Sequence, residues 1–116
     1  VLSGKYNQEI VPTDCRFGDY TNDANPRQQA MAQRFVNEGT LASTAKYLEI
    51  AQSAGMAPVT LATAWSMNFD FVASTIIGAR TADQLEDSLA ALDVKLSDEI
   101  MKQCDEVHKQ IPYPMG

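Results

Sequence analysis

The sequence is poor in residues that carry chemistry in small sets. It has one histidine, His108, and two cysteines, Cys15 and Cys104, which stand near opposite ends with no CxxC spacing and no Cys/His cluster. A structural zinc site, which needs a closed set of such ligands, is thereby excluded. One long-range disulfide remains open on spacing alone, but two isolated cysteines read first as free thiols of a reducing cytoplasm. No apolar run approaches the roughly 20 residues that cross a bilayer, and the opening Val1-Leu2-Ser3-Gly4-Lys5-Tyr6 lacks a charged-then-apolar secretory pattern. Basic residues are scarce as well: 9 Lys plus Arg against 15 Asp plus Glu leave a net charge of −6. Such a field repels polyanions, so neither nucleic acid nor an anionic membrane is an expected partner.

What is present is the composition of a globular protein. Of 116 residues, 45% are hydrophobic and 21% charged, and the six Gly and five Pro are scattered, which excludes disordered, collagen-like and mucin-like chains. The length fits one domain or a piece of one. The chain opens with Val1 inside a strongly patterned segment, which points to a piece of a longer protein.

Residues 1–24 carry Gly4, Pro12, Gly18, Asn22 and Asp23 without a sustained period, and read as one long loop. Loops of that length are usually functional or disordered. Residues 25–70 read as helices. Asn25-Pro26 is a cap followed by a first-turn proline, with Gln28 as capping-box partner, and predicts a helix to about Glu38 that Gly39 stops. Met31, Ala32, Phe35 and Val36 form its apolar stripe. Leu41, Tyr47, Leu48 and Ala51 trace a second helix to about Ala54, ended by Gly55. Pro58 opens a third, in which Leu61, Ala62, Trp65 and Met67 lie almost free of charge, so it is expected to be buried on more than one side.

Residues 71–80 read as a strand and turn. The β-branched run Val72-Ala73-Ser74-Thr75-Ile76-Ile77, closed by Gly78, predicts one buried strand. Residues 81–111 hold two more helices. Thr81 and Gln84 form a Thr-x-x-Gln box ahead of Leu85, Leu89 and Leu92. Ser97 caps the last helix, with Asp98 and Glu99 in its first turn and His108 and Lys109 in its last, matching the macrodipole. Leu96 and Met101 take staple positions, and Pro112 and Pro114 end the helix. A lone strand cannot satisfy its own backbone groups, so its partners are expected upstream of Val1.

Chemistry concentrates at one place in this reading. The turn Gly78-Ala79-Arg80 between strand and helix offers helix N-terminal N–H groups and a forked guanidinium, which suits an anionic ligand. An ordinary strand-to-helix turn with an exposed arginine is the alternative, and both stay open. Lys5 and Arg16 suit a loop that folds over a phosphorylated ligand, or are solvated loop charges. Ser97-Asp98-Glu99 and His108 are accounted for by capping, and Trp65 and the methionines by packing. No Ser-His-Asp, metal or paired-carboxylate set is visible.

Four segments, in order, carry a family resemblance. Leu2-Ser3-Gly4-Lys5-Tyr6 resembles the L-[ST]-G-K-Y segment after the seventh barrel strand of aldo-keto reductases, and Ala57-Pro58-Val59-Thr60-Leu61-Ala62-Thr63-Ala64-Trp65 their tPaqlALaW helix. Ile76-Ile77-Gly78-Ala79-Arg80-Thr81-Ala82-Asp83-Gln84-Leu85 resembles their eighth strand and cofactor loop, and Leu92-Asp93-Val94-Lys95-Leu96-Ser97 the approach to the terminal helix. The branch with general-stress-type reductases and potassium-channel β subunits looks most similar.

The resemblance implies an α/β fold: the C-terminal part of a (β/α)₈ TIM barrel, mostly helical with one strand. It implies an NADPH-dependent oxidoreductase that reduces a small aldehyde or ketone, in the cytoplasmic compartment already read from the two isolated cysteines. Lys5 and Arg16 then fall on the loop that clasps the dinucleotide, and Gly78, Ala79 and Arg80 on the loop holding the adenosine 2′-phosphate. Gln84, Asp87 and Ser88 fall on positions touching the 2′-phosphate or adenine. The family commonly has Glu-Asn where Asp87-Ser88 stand, and Pro where Ile77 stands. Its catalytic Asp, Tyr, Lys and His belong to the first half of the barrel, which implies a missing N-terminal partner half and no activity for these 116 residues alone. The alternative is a non-catalytic helical interaction or regulatory module derived from such an enzyme.

Overall fold

The protein is described by a computed structural model covering residues 1–115 except residues 11, 13, 23 and 24. Six α-helices and one 3₁₀ turn follow in order: α1 (Arg16–Asn22), α2 (Pro26–Phe35), α3 (Glu38–Ser53), α4 (Pro58–Met67), α5 (Ala82–Leu89), a 3₁₀ turn (Ala90–Asp93) and α6 (Asp98–Gln110). No strand occurs among the described residues.

Most helix boundaries follow the local chemistry. Asn25 caps α2 by accepting the Arg27 N–H at 3.0 Å, with Pro26 in the first turn. Gly55 adopts φ 68° after α3, and Pro58 opens α4. Ser97 accepts the Ile100 N–H at 3.3 Å, and Leu96 is buried beside the partly buried Met101.

Three expectations about the elements themselves are corrected, and a fourth, on the burial of α4, below. Residues 1–24 are not one continuous loop, because α1 forms within them; Asp23 lies outside the described residues. Phe17 drives this by stacking on Phe35 of α2 at 5.2 Å and contacting Tyr6 at 5.7 Å and Tyr20 at 6.2 Å, long-range aromatic packing that no short period announces. Second, Gly39 does not end a helix but lies inside α3. The break comes earlier, at Asn37, whose side chain accepts the Thr40 N–H at 3.0 Å while the Thr40 hydroxyl accepts the Asn37 N–H at 2.9 Å. That reciprocal box restarts the chain as a new helix.

The third correction is the strand. Residues 71–80 form no strand, and Ile76 is 97% exposed, Phe71 84%. The Val72 N–H closes a tight turn on the Phe69 carbonyl, and the Thr75 and Ser66 hydroxyls lie 2.9 Å apart. The β propensity is there, but ladder hydrogen bonds need a neighbouring strand, and the described residues supply none.

The core forms where α3, α4, α6 and the 3₁₀ turn meet: Ile50, Ala51, Leu61, Ala64, Ala91, Leu96, Cys104 and Val107. Both cysteines are buried free thiols. α4 buries one face through Thr60, Leu61 and Ala64, whereas Trp65 and Met67 on its other side stay more than a third exposed. It is therefore less enclosed than its lack of charge suggests.

Candidate functional site

A polar convergence lies at the start of α5. Thr81 caps this helix by accepting the Gln84 N–H at 3.4 Å, and Gln84 Oε1 accepts the Arg80 N–H at 3.0 Å, one residue further back than an ordinary capping box reaches. These bonds hold the turn 78–81 on the helix end. They leave the N–H groups of Ala82 and Asp83 without an acceptor among the described residues, as first-turn donors usually are. Asp83 places its own carboxylate in that first turn, where the dipole favours negative charge.

Arg80 reaches away from this helix. Its Nη1 donates to the Asp14 carbonyl at 2.7 Å, joining segments 66 residues apart. A carbonyl acceptor does not neutralise the guanidinium, and no carboxylate pairs with Arg80 among the described residues. The exposed Arg80 thus remains an available cation beside segment 14–16, which brings the exposed Arg16 into the same neighbourhood in the chain. Nothing in the local sequence marks Asp14, because its contribution is a backbone carbonyl.

The loop leading there is anchored from below. Gly4 has φ 77°, a left-handed conformation that favours glycine, and it lies against α3, where a Cβ built on it would sit 2.8 Å from Leu48 Cδ2. Asn7 Nδ2 donates to the Leu41 carbonyl at 2.8 Å, and the buried Tyr6 hydroxyl accepts the Phe17 N–H at 3.3 Å at the start of α1. Burial first, then Cys15, pushes the Tyr6 phenol up. Lys5, half-buried, sits between these anchors. Among the described residues no hydrogen bond joins Lys5 to Arg80 or Gln84.

Asp87 and Ser88 stand one turn further along α5. The Thr60 hydroxyl donates to the Asp87 carbonyl at 2.7 Å, fastening α5 to α4, a positioning role that sequence reasoning did not single out. Ser88 is buried, and its hydroxyl lies 3.5 Å from the Gln84 carbonyl, to which it donates. Gly78 and Ala79 are exposed, and a Cβ on Gly78 would meet nothing within 4 Å. Within these residues the local packing makes no demand for glycine there. The structure therefore brings Arg80, Thr81 and Gln84 together with segment 14–16, sets Asp87 and Ser88 behind them, and holds Lys5 in a separate anchored loop.

Among the described residues, no group of three or more His, Cys, Asp or Glu residues is arranged to hold a metal, and no helix is long and apolar enough to cross a membrane. His108 packs edge-on against Tyr113 at 5.7 Å, at the end of α6.

The model of the aldo/keto reductase family matches residues 9–109. The chain is 34% identical to Protein tas of Escherichia coli over 84% of its own length and 30% of that protein's. It is 33% identical to a probable voltage-gated potassium channel subunit beta of Arabidopsis thaliana, over 81% of this chain and 27% of that one. To the L-glyceraldehyde 3-phosphate reductase of Escherichia coli it is 32% identical, over 80% and 25% respectively. The chain thus spans between a quarter and a third of the length of these relatives. With the family model covering most of its length, the chain belongs to the aldo/keto reductase family.

Proposed function

We propose that the chain forms the C-terminal part of a TIM-barrel oxidoreductase that reduces small aldehydes or ketones with NADPH, and that it supplies the adenosine 2′-phosphate end of the cofactor site. The family generally works on small carbonyl compounds with a nicotinamide cofactor on such a barrel, and this reading assigns the chain the last strand and last helices. Residues 71–78 then pair only when neighbouring strands are present, which accounts for a β-branched run left exposed here. Catalysis falls to residues elsewhere in the barrel, so these 116 residues alone are expected to reduce nothing.

One observation carries the cofactor assignment: Arg80, uncompensated by any described carboxylate, stands at a helix N-terminus with free first-turn N–H groups and bridges to segment 14–16. These groups fit a phosphate monoester. Gly78 and Ala79 let the backbone come close to it, Arg16 and Lys5 add cations from the loop, and Gln84 orients Arg80. Asp87 and Ser88 suit the adenine side less directly, since the Ser88 hydroxyl is turned to the Gln84 carbonyl.

The test uses the complete reductase that contains this segment. A charge-assisted hydrogen bond contributes about 1.5–3 kcal/mol, so Arg80→Ala is expected to weaken NADPH binding by about ten- to a hundredfold. NADH, which lacks the 2′-phosphate, is expected to bind almost as before. Equal losses for both nucleotides in a fluorescence titration would reject the assignment.

A further inference from the structure

Thr60 lies in the first turn of α4, 3% exposed and next to Leu61 of the core. A threonine or serine hydroxyl in a helix can turn back onto a carbonyl of its own helix. Thr21, Ser43 and Ser66 do so, onto the carbonyls of Phe17, Thr40 and Thr63. The Thr60 hydroxyl instead crosses to α5 and donates to the Asp87 carbonyl at 2.7 Å.

Groups from distant segments thus hold α5 at two places. Ahead of its first turn, Arg80 reaches the Asp14 carbonyl; in its second turn, Asp87 is held from the core by Thr60. Two separated tethers fix the direction of a short helix. Without the Thr60 bond, α5 is free to pivot on the turn at 80–81, and such a pivot displaces Asp87 and Ser88 more than Arg80 and the first-turn N–H groups. A binding group is placed no better than the residues behind it, and Thr60 stands behind the second turn.

We propose that Thr60 is a positioning residue for nucleotide binding: through the Asp87 carbonyl it sets the tilt of α5, and with it the place where Asp87 and Ser88 meet the adenine. The inference rests on the reading of α5 as the nucleotide helix. It assigns Thr60 a different signature from Arg80. Arg80 acts on the 2′-phosphate and so separates NADPH from NADH, whereas Thr60 acts on the adenine that both nucleotides share.

The test uses the complete reductase that contains this segment, titrated with NADPH and with NADH by isothermal titration calorimetry, in which stoichiometry counts the folded molecules separately from their affinity. Thr60→Val keeps the side-chain shape and removes the donor. It is expected to raise both dissociation constants by the same factor, about three- to tenfold, the size of one net hydrogen bond. Thr60→Ser, which keeps the donor, is expected to recover most of the affinity. Thr60→Ala removes the same donor without setting a methyl group against the carbonyl, and carries the same expectation if the valine variant does not fold. A bond that is structural only would lower the stoichiometry or the melting temperature and leave both dissociation constants unchanged. That result would overturn the proposal, as would a loss confined to NADPH or one that Thr60→Ser does not recover. Arg80→Ala, titrated in parallel, tells the two failures apart. If it still separates the nucleotides while Thr60→Val and Thr60→Ala change neither constant, the role of Thr60 alone is rejected. If none of these substitutions alters binding, the nucleotide reading of α5 falls, and the role of Thr60 with it.

Discussion

The α3–α4–α6 unit and the segment 68–81 are both rich in apolar residues, yet only the first buries them. In α3 and α6 the backbone bonds run mainly along the helix itself, Asn37 and Ser97 cap the N-terminal ends, and apolar faces at helical spacing meet in one core. In segment 68–81 the apolar residues are β-branched or aromatic, and Phe71 and Ile76 lie in solvent. Phe71 does no more than stack on Phe69 at 5.3 Å, and Phe69 in turn meets Trp65. Helical order is obtained from residues nearby in sequence; strand order depends on a partner. The same propensity therefore yields structure in one region and an unpaired run in the other.

The largest effect expected from this contrast is on stability. Leu61→Ala removes a side chain 3% exposed in the core and is expected to cost about 2–5 kcal/mol, whereas Ile76→Ala, at a residue 97% exposed, is expected to stay within about 0.5 kcal/mol. Urea unfolding of the 116-residue chain compares the two directly. A loss at Ile76 equal to that at Leu61 would mean that segment 68–81 is packed in solution, and the contrast would fail.

What could be read from the sequence divides along the same line. Pro58, Gly55, Thr81 and Ser97 act through bonds spanning a few residues, and the helix limits near them match the expectation. Gly39 misled because glycine suits a helix stop, yet the competing Asn37–Thr40 box is stronger and simply begins a new helix. α1 was not legible, since Phe17 owes its position to Phe35 and Tyr6 rather than to a period of its own. The candidate site was half legible. Arg80 beside a Thr-x-x-Gln box announces itself, but its bond to the Asp14 carbonyl crosses 66 residues, and the Thr60 bond to the Asp87 carbonyl crosses 27. Backbone acceptors carry no residue-type signature, and only folding brings them into reach.

A second, smaller effect separates the caps of the two regions. Asn37 makes a reciprocal box and also donates from Nδ2 to the Pro114 carbonyl at 3.2 Å, tying α3 to the chain end. Thr81 makes a single longer bond at 3.4 Å on an exposed helix. Asn37→Ala is therefore expected to cost about 1.5 kcal/mol and Thr81→Ala about 0.5 kcal/mol, within the range for lost N-caps. The readout is the urea midpoint, with Asn37→Ser and Thr81→Ser recovering most of each loss. A larger loss at Thr81 than at Asn37 would show that the α5 turn, not the α3 start, is the better fixed of the two.

The smallest effect probes whether α6 keeps its order by local means alone. Lys109 Nζ lies 2.9 Å from Glu106 Oε1, one turn apart on the exposed face of the last helix. The hydrogen bond from Lys109, then its charge, holds the Glu106 carboxyl below the ordinary value, and the same partner raises Lys109. A carboxyl whose folded pKa is depressed contributes stability above its unfolded value, and loses it as the pH falls through the folded value. Both side chains are solvent-exposed, so the contribution is small and screened by salt. Glu106→Gln is accordingly expected to unfold at a slightly lower urea concentration than the unaltered chain at pH 7 and low salt. The two midpoints should draw together on acidification through the carboxylate range, and also on adding salt at neutral pH. A gap that persists in acid would mean that the variant disturbs α6 by something other than the lost ion pair, such as altered packing on the core side of the helix. In that case α6 would depend on more than its own caps and local pairs, and its contrast with segment 68–81 would narrow.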